Sequence, residues 1–304
     1  MSTFLQNAID AIALGSLYAL ASLGIGLIFS VMRLVNFAHA AFIAFCTFTM
    51  LMPTAAGIVA SPLGRLPAPV LLVVVLAFGA LLGVLSEIAV FRHLRKASPA
   101  TMMVASFSVG YVMQNFLYMI YSSRPIAIDL WSGLSQAISV AGLRMTLLQV
   151  VTIAAAIIVL AVLHLSLKHA RFGLEMRAAA ERFETAELLG VAGNRVIMIA
   201  FALSGAVAGL TALILLAQTG VASIGIGIPV VFVAFIACVL GGLGNLTGAV
   251  LGGFLIGIFS VVMQIVLPVE LRPYRDAFVY FAVVAVLMIK PMGLLPPPST
   301  KGRV

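Results

Sequence analysis

Nine long apolar stretches, most of them close to twenty residues, recur along the chain and decide what it can fold into. They cover residues 8–30, 34–52, 69–91, 101–121, 145–167, 196–217, 228–243, 248–267 and 278–289. About 20 apolar residues in a helix cross the hydrocarbon core of a bilayer. In lipid every backbone N–H and C=O needs an internal partner, which a helix supplies. A soluble fold is excluded by the balance of residues: 63% are hydrophobic and 9% charged, too few polar groups to wet an outer surface. The expectation is an all-α, polytopic transmembrane helical bundle of about eight to nine spans, with half-helices among the shorter runs. Run 228–243 is short and ends in glycines. Run 278–289 is short unless Tyr274 starts it, and run 34–52 opens on polar residues. No linker divides residues 1–304, which read as a single transmembrane domain.

The 17 Lys and Arg against 9 Asp and Glu give a net charge of +8. These bases do not form an aromatic-interleaved polar surface for nucleic acid. They sit in short loops: Arg92, Arg95 and Lys96; Lys168, Arg171, Arg177, Arg182 and Arg195; Lys290, Lys301 and Arg303. Basic loops face the cytoplasm. Even numbers of runs separate the three groups, so all three fall on one side and the C-terminus is expected to be cytoplasmic. A literal count of nine puts the N-terminus outside. Residues 122–144 then form an outer loop, with Asp129, Gly133 and an interfacial Trp131. The first residues carry no basic segment ahead of the first run, so that run reads as a retained helix rather than a cleavable signal. Cys46 and Cys238 each lie inside an apolar run, without CxxC or Cys/His spacing. They read as small buried hydrophobes, with no disulfide and no metal expected.

Residues 168–195, KHARFGLEMRAAAERFETAELLGVAGNR, are the longest polar stretch. The pattern predicts one short amphipathic helix closing at Gly190 as a C′ glycine. Glu181, Glu184 and Glu187 are mixed with Arg177 and Arg182, and helical-spacing pairs such as Arg177 with Glu181 at i,i+4 are expected. From the residues alone two readings stand: a solvated loop helix, or a docking helix whose small residues fit a partner's groove.

Two further segments are unusual. Arg33, Asn36 and His39 fall within seven residues of apolar sequence, and Asn36 and His39 share a helical face. Either they mark a membrane boundary, with His39 bonded to a neighbouring helix, or they lie beside a solute path. No partner at suggestive spacing makes His39 catalytic, and no catalytic residue is expected elsewhere. The string VLGGLGNLTGAVLGGFLIG is dense in glycine. The spacings Gly244/Gly248, Gly248/Gly252 and Gly253/Gly257 suit close helix packing, Gly244-Asn245 suits a tight turn, and two half-helices meeting at depth would hold a charged solute. No Gly-Lys-Ser/Thr follows, so there is no phosphate loop and no ATPase site. An internal repeat, in which each half carries a glycine-containing helix and a polar break, is a further hypothesis.

Three segments, in order along the chain, carry a family resemblance. Arg177, Ala178, Ala180, Ala186, Leu188, Leu189, Gly190 and Val191 match a cytoplasmic loop motif. Asn36-Phe37-Ala38-His39 follows a GSLYALASLG helix, and GGLGNLTGAVLGG completes the set. Together they resemble the permeases of branched-chain amino-acid ATP-binding-cassette (ABC) transporters, the H-type subunit. Ala40 and Ala41 replace the family's glycine and frequent acid, and Cys46 replaces another common glycine. The resemblance implies a bacterial inner-membrane permease subunit that is not itself an enzyme and needs no cofactor. Its partners would be cytoplasmic ATP-binding subunits, a second permease chain, a periplasmic or extracellular solute-binding protein and the bilayer. It implies coupling to the ATPase through Arg177, Ala178, Ala180, Glu181, Ala186, Leu189 and Gly190, and a solute path near Asn36, His39, Gly244 and Asn245. The alternatives are an ABC permease for urea or short amides, and a stand-alone carrier or channel built around His39. Asp10, Asp129, Glu270 and Asp276 fall at loops or helix ends, which counts against the carrier. An intramembrane enzyme ranks last.

Overall fold

The computed structural model describes residues 2–54, 57–95, 97–121, 123–128, 133, 136–140 and 143–295. Asp129 and Trp131 of the outer loop, and the basic residues Lys96, Lys301 and Arg303, lie outside them.

The chain folds as a helical bundle. Six helical stretches among the described residues are long and apolar enough to cross a membrane. They are α1 (Ser2–Met32), α3 (Ala68–Ser86) with its continuation, α5 (Pro99–Ile120), α6 (Leu147–His169), α9 (Gly193–Thr219) and α11 (Leu246–Val266). The continuation of α3 is one wider turn, Glu87–Phe91, leading into α4 (Arg92–Leu94). The remaining three apolar runs form shorter helices, α2 (His39–Phe48), α10 (Gly227–Gly241) and α12 (Arg275–Ile289). The run read as 34–52 loses its first turn because the chain leaves α1 at Arg33, φ 55°, and stays non-helical up to His39. The ten residues of α2 span about 15 Å, half of a bilayer core.

Local signals set the helix ends. Ser98 caps α5 through the Thr101 amide, and Thr146 and Gln149 form a reciprocal capping box on α6. Asn245 Oδ1 accepts from the Gly248 amide at the start of α11. Gly220, in the left-handed region, closes α9. Short strands finish one end of the bundle: β1 (Leu51–Thr54) pairs with β2 (Gly57–Ala60), β3 (Ile126–Ala127) with β6 (Val221–Ala222), and β4 (Ala137–Val140) with β5 (Leu143–Thr146), all antiparallel.

The interior belongs to α1, α2 and α9, which are mostly buried, while α3, α5 and α6 turn most of their apolar surface outward. Val73, Val104, Val112, Met119, Ile157 and Val162 are exposed, as a lipid-facing surface requires. Glycine decides which helices touch. A Cβ at Gly79 would fall on the Gly205 carbonyl, one at Gly83 on that of Phe201, and one at Gly209 within 2.7 Å of Val75 O, so α3 and α9 cross backbone to backbone. Gly248 and Gly252 do the same for α11 against α10, at Gly241 and Ala237. Gly253 and Gly257 do so for α11 against α1, at Tyr18 and Gly15. Small residues four apart permit this approach. Of the three sequence pairs, Gly248/Gly252 and Gly253/Gly257 pack helices, and Gly244 lies instead in the turn before α11.

The contacts sort the helix ends into two groups. At the first, Asp10 near the start of α1 accepts from Gln149 of α6 at 2.6 Å, β3 pairs with β6, and Tyr121 donates to the Phe48 and Leu51 carbonyls. At the second, Arg33 meets the loop after α6, Arg95 meets Asn194 at the start of α9, and Leu294 and Leu295 donate to the Leu240 and Gly241 carbonyls. Cys46 and Cys238 are free and buried.

Candidate functional site

The loop 168–195 is not one helix. It forms α7 (Arg171–Glu181) and α8 (Phe183–Leu188), separated at Arg182, whose extended backbone (φ −147°, ψ 95°) ends one helix and starts the next. The break leaves Arg177 and Glu181 on α7 and puts Glu184 and Glu187 on α8. Among the described residues, none of Arg177, Glu181, Arg182, Glu184 and Glu187 forms an ion pair, contrary to the charge pairs expected from their spacing. Gly173, Met176 and Ala179 are buried, and Arg177, Ala178 and Glu181 are exposed. Ala186 anchors α8 at 4% exposure, whereas Leu188 and Leu189 stand out at 88% and 82%. Gly190, φ 93°, ends α8. The Gly190 amide donates to Glu187 O and that of Val191 to Ala186 O, the bond pair of a Schellman cap. The sequence-level C′ glycine therefore stands, with two bare leucines at its tip.

A cavity of about 850 Å³ lies between this loop and the bundle. Arg33, Lys168, Arg177, Ala178, Ala180, Glu181, Gly244 and Asn245 are among the residues that line it. Four loop residues chosen from the sequence thus share a cavity with the two residues chosen from the glycine string. Gly242 and Gly244 both hold positive φ, 110° and 90°, in the turn between α10 and α11. Asn245 caps α11 and donates from Nδ2 to Leu295 O at 3.3 Å.

Asn36 and His39 are elsewhere. Both are fully buried, at the non-helical join of α1 and α2. Asn36 Oδ1 accepts from the Ala38 amide at 3.1 Å, a turn that ends the extended stretch. His39 Nδ1 lies 3.2 Å from Ser204 Oγ on α9. The His39 ring fills the space left by Gly24, where a Cβ would come within 2.5 Å of Cε1. Ser106 of α5 accepts from the Phe37 amide at 3.3 Å, and its hydroxyl points between Met103 O at 2.8 Å and Val35 O at 3.4 Å. The four residues expected along one path therefore form two sites, a deep packed break and an end cavity. Ser204 and Ser106 carried no sequence signal, since each is a lone hydroxyl in an apolar helix. A signal did exist for Arg33, a base at the mouth of a run.

The same end contains a buried carboxylate. Glu87, on the wide turn after α3, has no exposed surface. It accepts from Arg92 at 3.1 Å and from Arg95, and Arg95 also reaches Asn194 Oδ1. These bonds fix α4 against the start of α9.

Residues 7–288 match the family model described as branched-chain amino acid transport system / permease component. The chain is similar to the high-affinity branched-chain amino acid transport system permease protein BraD of Pseudomonas aeruginosa, at 29% identity over 98% of this chain and 97% of that one. It is similar at 27% identity, over the same shares, to the high-affinity branched-chain amino acid transport system permease protein LivH of Escherichia coli K12. One third of the chain is also similar, at 37% identity over 30% of the relative, to the autoinducer 2 import system permease protein LsrC of Klebsiella pneumoniae. No solved structure matches.

Proposed function

The chain belongs to the branched-chain amino acid transport permease family and is a multi-pass membrane permease subunit of an ABC importer, and from that premise we propose that it moves a branched-chain or related amino acid by alternating access driven through the α7–α8 loop. The observation that carries this reading is the end cavity, in which Arg177, Ala178, Ala180 and Glu181 of the loop face Gly244 and Asn245 of the bundle. A loop that is part exposed tip and part cavity wall transmits force from a partner below to helices above. Leu188, Leu189 and Gly190 are the surface offered to a cytoplasmic ATPase subunit, with Arg177 and Glu181 at its rim. ATP hydrolysis belongs to that subunit. A second permease chain completes the path, and a solute-binding protein delivers from outside.

The two groups of ends support a proposed membrane topology. Residues 33–48 climb back from the second end as a non-helical stretch plus α2, and α10 and α12 return to it. Nine crossings result, with the N-terminus outside and the C-terminus cytoplasmic. The bases of α4 and of the α6–α9 loop fall on the cytoplasmic side. The solute path runs beside the Asn36–His39 break, where non-helical backbone at depth is held by protein, and leaves through the Gly244–Asn245 cavity.

The test uses two loop variants. Glu181→Lys reverses a rim charge. Gly190→Pro is incompatible with φ 93° and dissolves the α8 cap. Both are expected to abolish ATP-driven leucine uptake at unchanged membrane abundance. Normal uptake in both sinks the docking role. A chain that purifies alone and transports without ATP sinks the importer mechanism in favour of a secondary carrier.

A further inference from the structure

Arg33 is the one non-glycine residue with positive φ among the described residues. Glycine adopts that backbone with less strain, so the side chain is what an arginine contributes here. Its Nη2 donates to Ala180 O at 2.9 Å. Ala180 is the penultimate residue of α7, and carbonyls in the last turn of a helix lack partners along the helix and carry its negative dipole end. Nη1 of the same guanidinium occupies the space where Gly244 would carry a Cβ. One side chain therefore touches the loop helix and the α10–α11 turn together. On the backbone side it begins the break that leads to Asn36 and His39. The Arg33 amide still closes the last turn of α1, on Phe29 O at 2.9 Å, and the next residues leave the helix. The inner part of the break is held by Ser106 and Ser204. At its other end the guanidinium contact is the tie to α7. Among the described residues Arg33 forms no ion pair, so its bond is to backbone and follows α7 wherever the helix moves.

We propose that Arg33 is a positioning residue that couples movement of α7 to the α1–α2 break, by gripping the C-terminal end of α7 and the Gly244 turn at the same time. This rests on the coupling role of the α7–α8 loop. A rigid fork suits the task, because a guanidinium presents several donors in one plane and an ammonium does not. Gly244 is required twice over, by its φ of 90° and by the arginine packed on it.

The experiment uses the whole transporter, with its second permease chain, ATPase subunits and binding protein, reconstituted in liposomes with leucine as the probe. Arg33→Gly keeps the left-handed backbone and removes the guanidinium, so folding is spared. The expected result is unchanged co-purification of ATPase subunits and unchanged basal ATP hydrolysis, with leucine moved per ATP reduced about tenfold, the scale of one lost charge-assisted hydrogen bond. Arg33→Lys should fall between the two. Leucine per ATP equal to wild type in Arg33→Gly overturns the inference and leaves the importer reading standing. Loss of the ATPase subunits from the variant also overturns it, since the role is then structural. A wild-type complex without ATPase subunits overturns both.

Discussion

Two arginine junctions lie at the same end of the bundle and are built differently. In one, Arg92 and Arg95 converge on Glu87, a carboxylate with no exposed surface, and Arg95 continues to Asn194. Just above it, α3 and α9 cross at Gly79, Gly83, Gly205 and Gly209 with backbones in contact. In the other, the exposed Arg33 holds a carbonyl of a loop helix next to a cavity of about 850 Å³. The first has paired charge and helices whose backbones are in contact. The second has a single bond, open space and a residue in the left-handed region. The end of the bundle is therefore half frame and half joint. On the proposed coupling, a loop pulled by a partner would move against the frame and carry the joint with it.

Three substitutions test that division. The largest effect is expected for Glu87→Ala. It leaves two guanidinium groups without their carboxylate. Arg92 and Arg95 keep 39% and 19% exposure, so solvent screening holds the cost to about 3 kcal/mol, the low end for breaking a buried pair. Thermal unfolding in detergent and membrane abundance should both fall. An unchanged melting point would mean that the frame does not depend on this pair. Next is Gly205→Ala, whose Cβ meets the Gly79 carbonyl. Backbone has to move, and overpacking of this kind costs about 1–3 kcal/mol, read as a lowered melting point with transport per surviving molecule retained. The smallest is Asn245→Ala, on the joint side. It removes the side-chain cap of α11, worth about 1 kcal/mol. Here the melting point should barely change while uptake changes more. If Asn245→Ala instead destabilises as much as Glu87→Ala, the contrast between frame and joint collapses.

Much of this was legible in the sequence, for identifiable reasons. Length and apolarity marked out the six long stretches directly. The alternation of basic loops anticipated that the Arg92–Arg95, 168–195 and Lys290 regions share an end, and in the structure the first two meet through Arg95 and Asn194. Gly190 was readable as a C′ residue because only the left-handed region suits that turn. The split of the loop at Arg182 was not readable, since both flanking segments favour helix and nothing at residue 182 breaks one. The expected charge pairs do not form even on a continuous axis: Arg177 and Glu181 share α7, yet Arg177 turns to Lys168 O. The α3–α9 crossing leaves no local signal, because its glycines are spread over two distant runs. The same spacing of four in the dense string before and within α11 was conspicuous. Polarity within apolar sequence suggests one path for Asn36, His39, Gly244 and Asn245, but the fold separates them into a packed break and an open cavity. The hydroxyl that partners His39, Ser204, comes from a helix whose sequence near it gives no cue.

The lengths of the inner helices have a consequence for the surrounding lipid. α1 has 31 residues and α9 has 27, about 46 and 40 Å of helix against a hydrocarbon core of about 30 Å. The outer α5 and α6, of 22 and 23 residues, come to about 33 and 34 Å. Excess length is absorbed by tilt or by protrusion, and tilt of α9 must be shared with α3 because their backbones touch. The pair inclines as one plate, so the depth at which the second end emerges depends on bilayer thickness. A thicker membrane would stand that plate upright and a thinner one would incline it, and only the length that tilt does not absorb would carry the α7–α8 loop out into water.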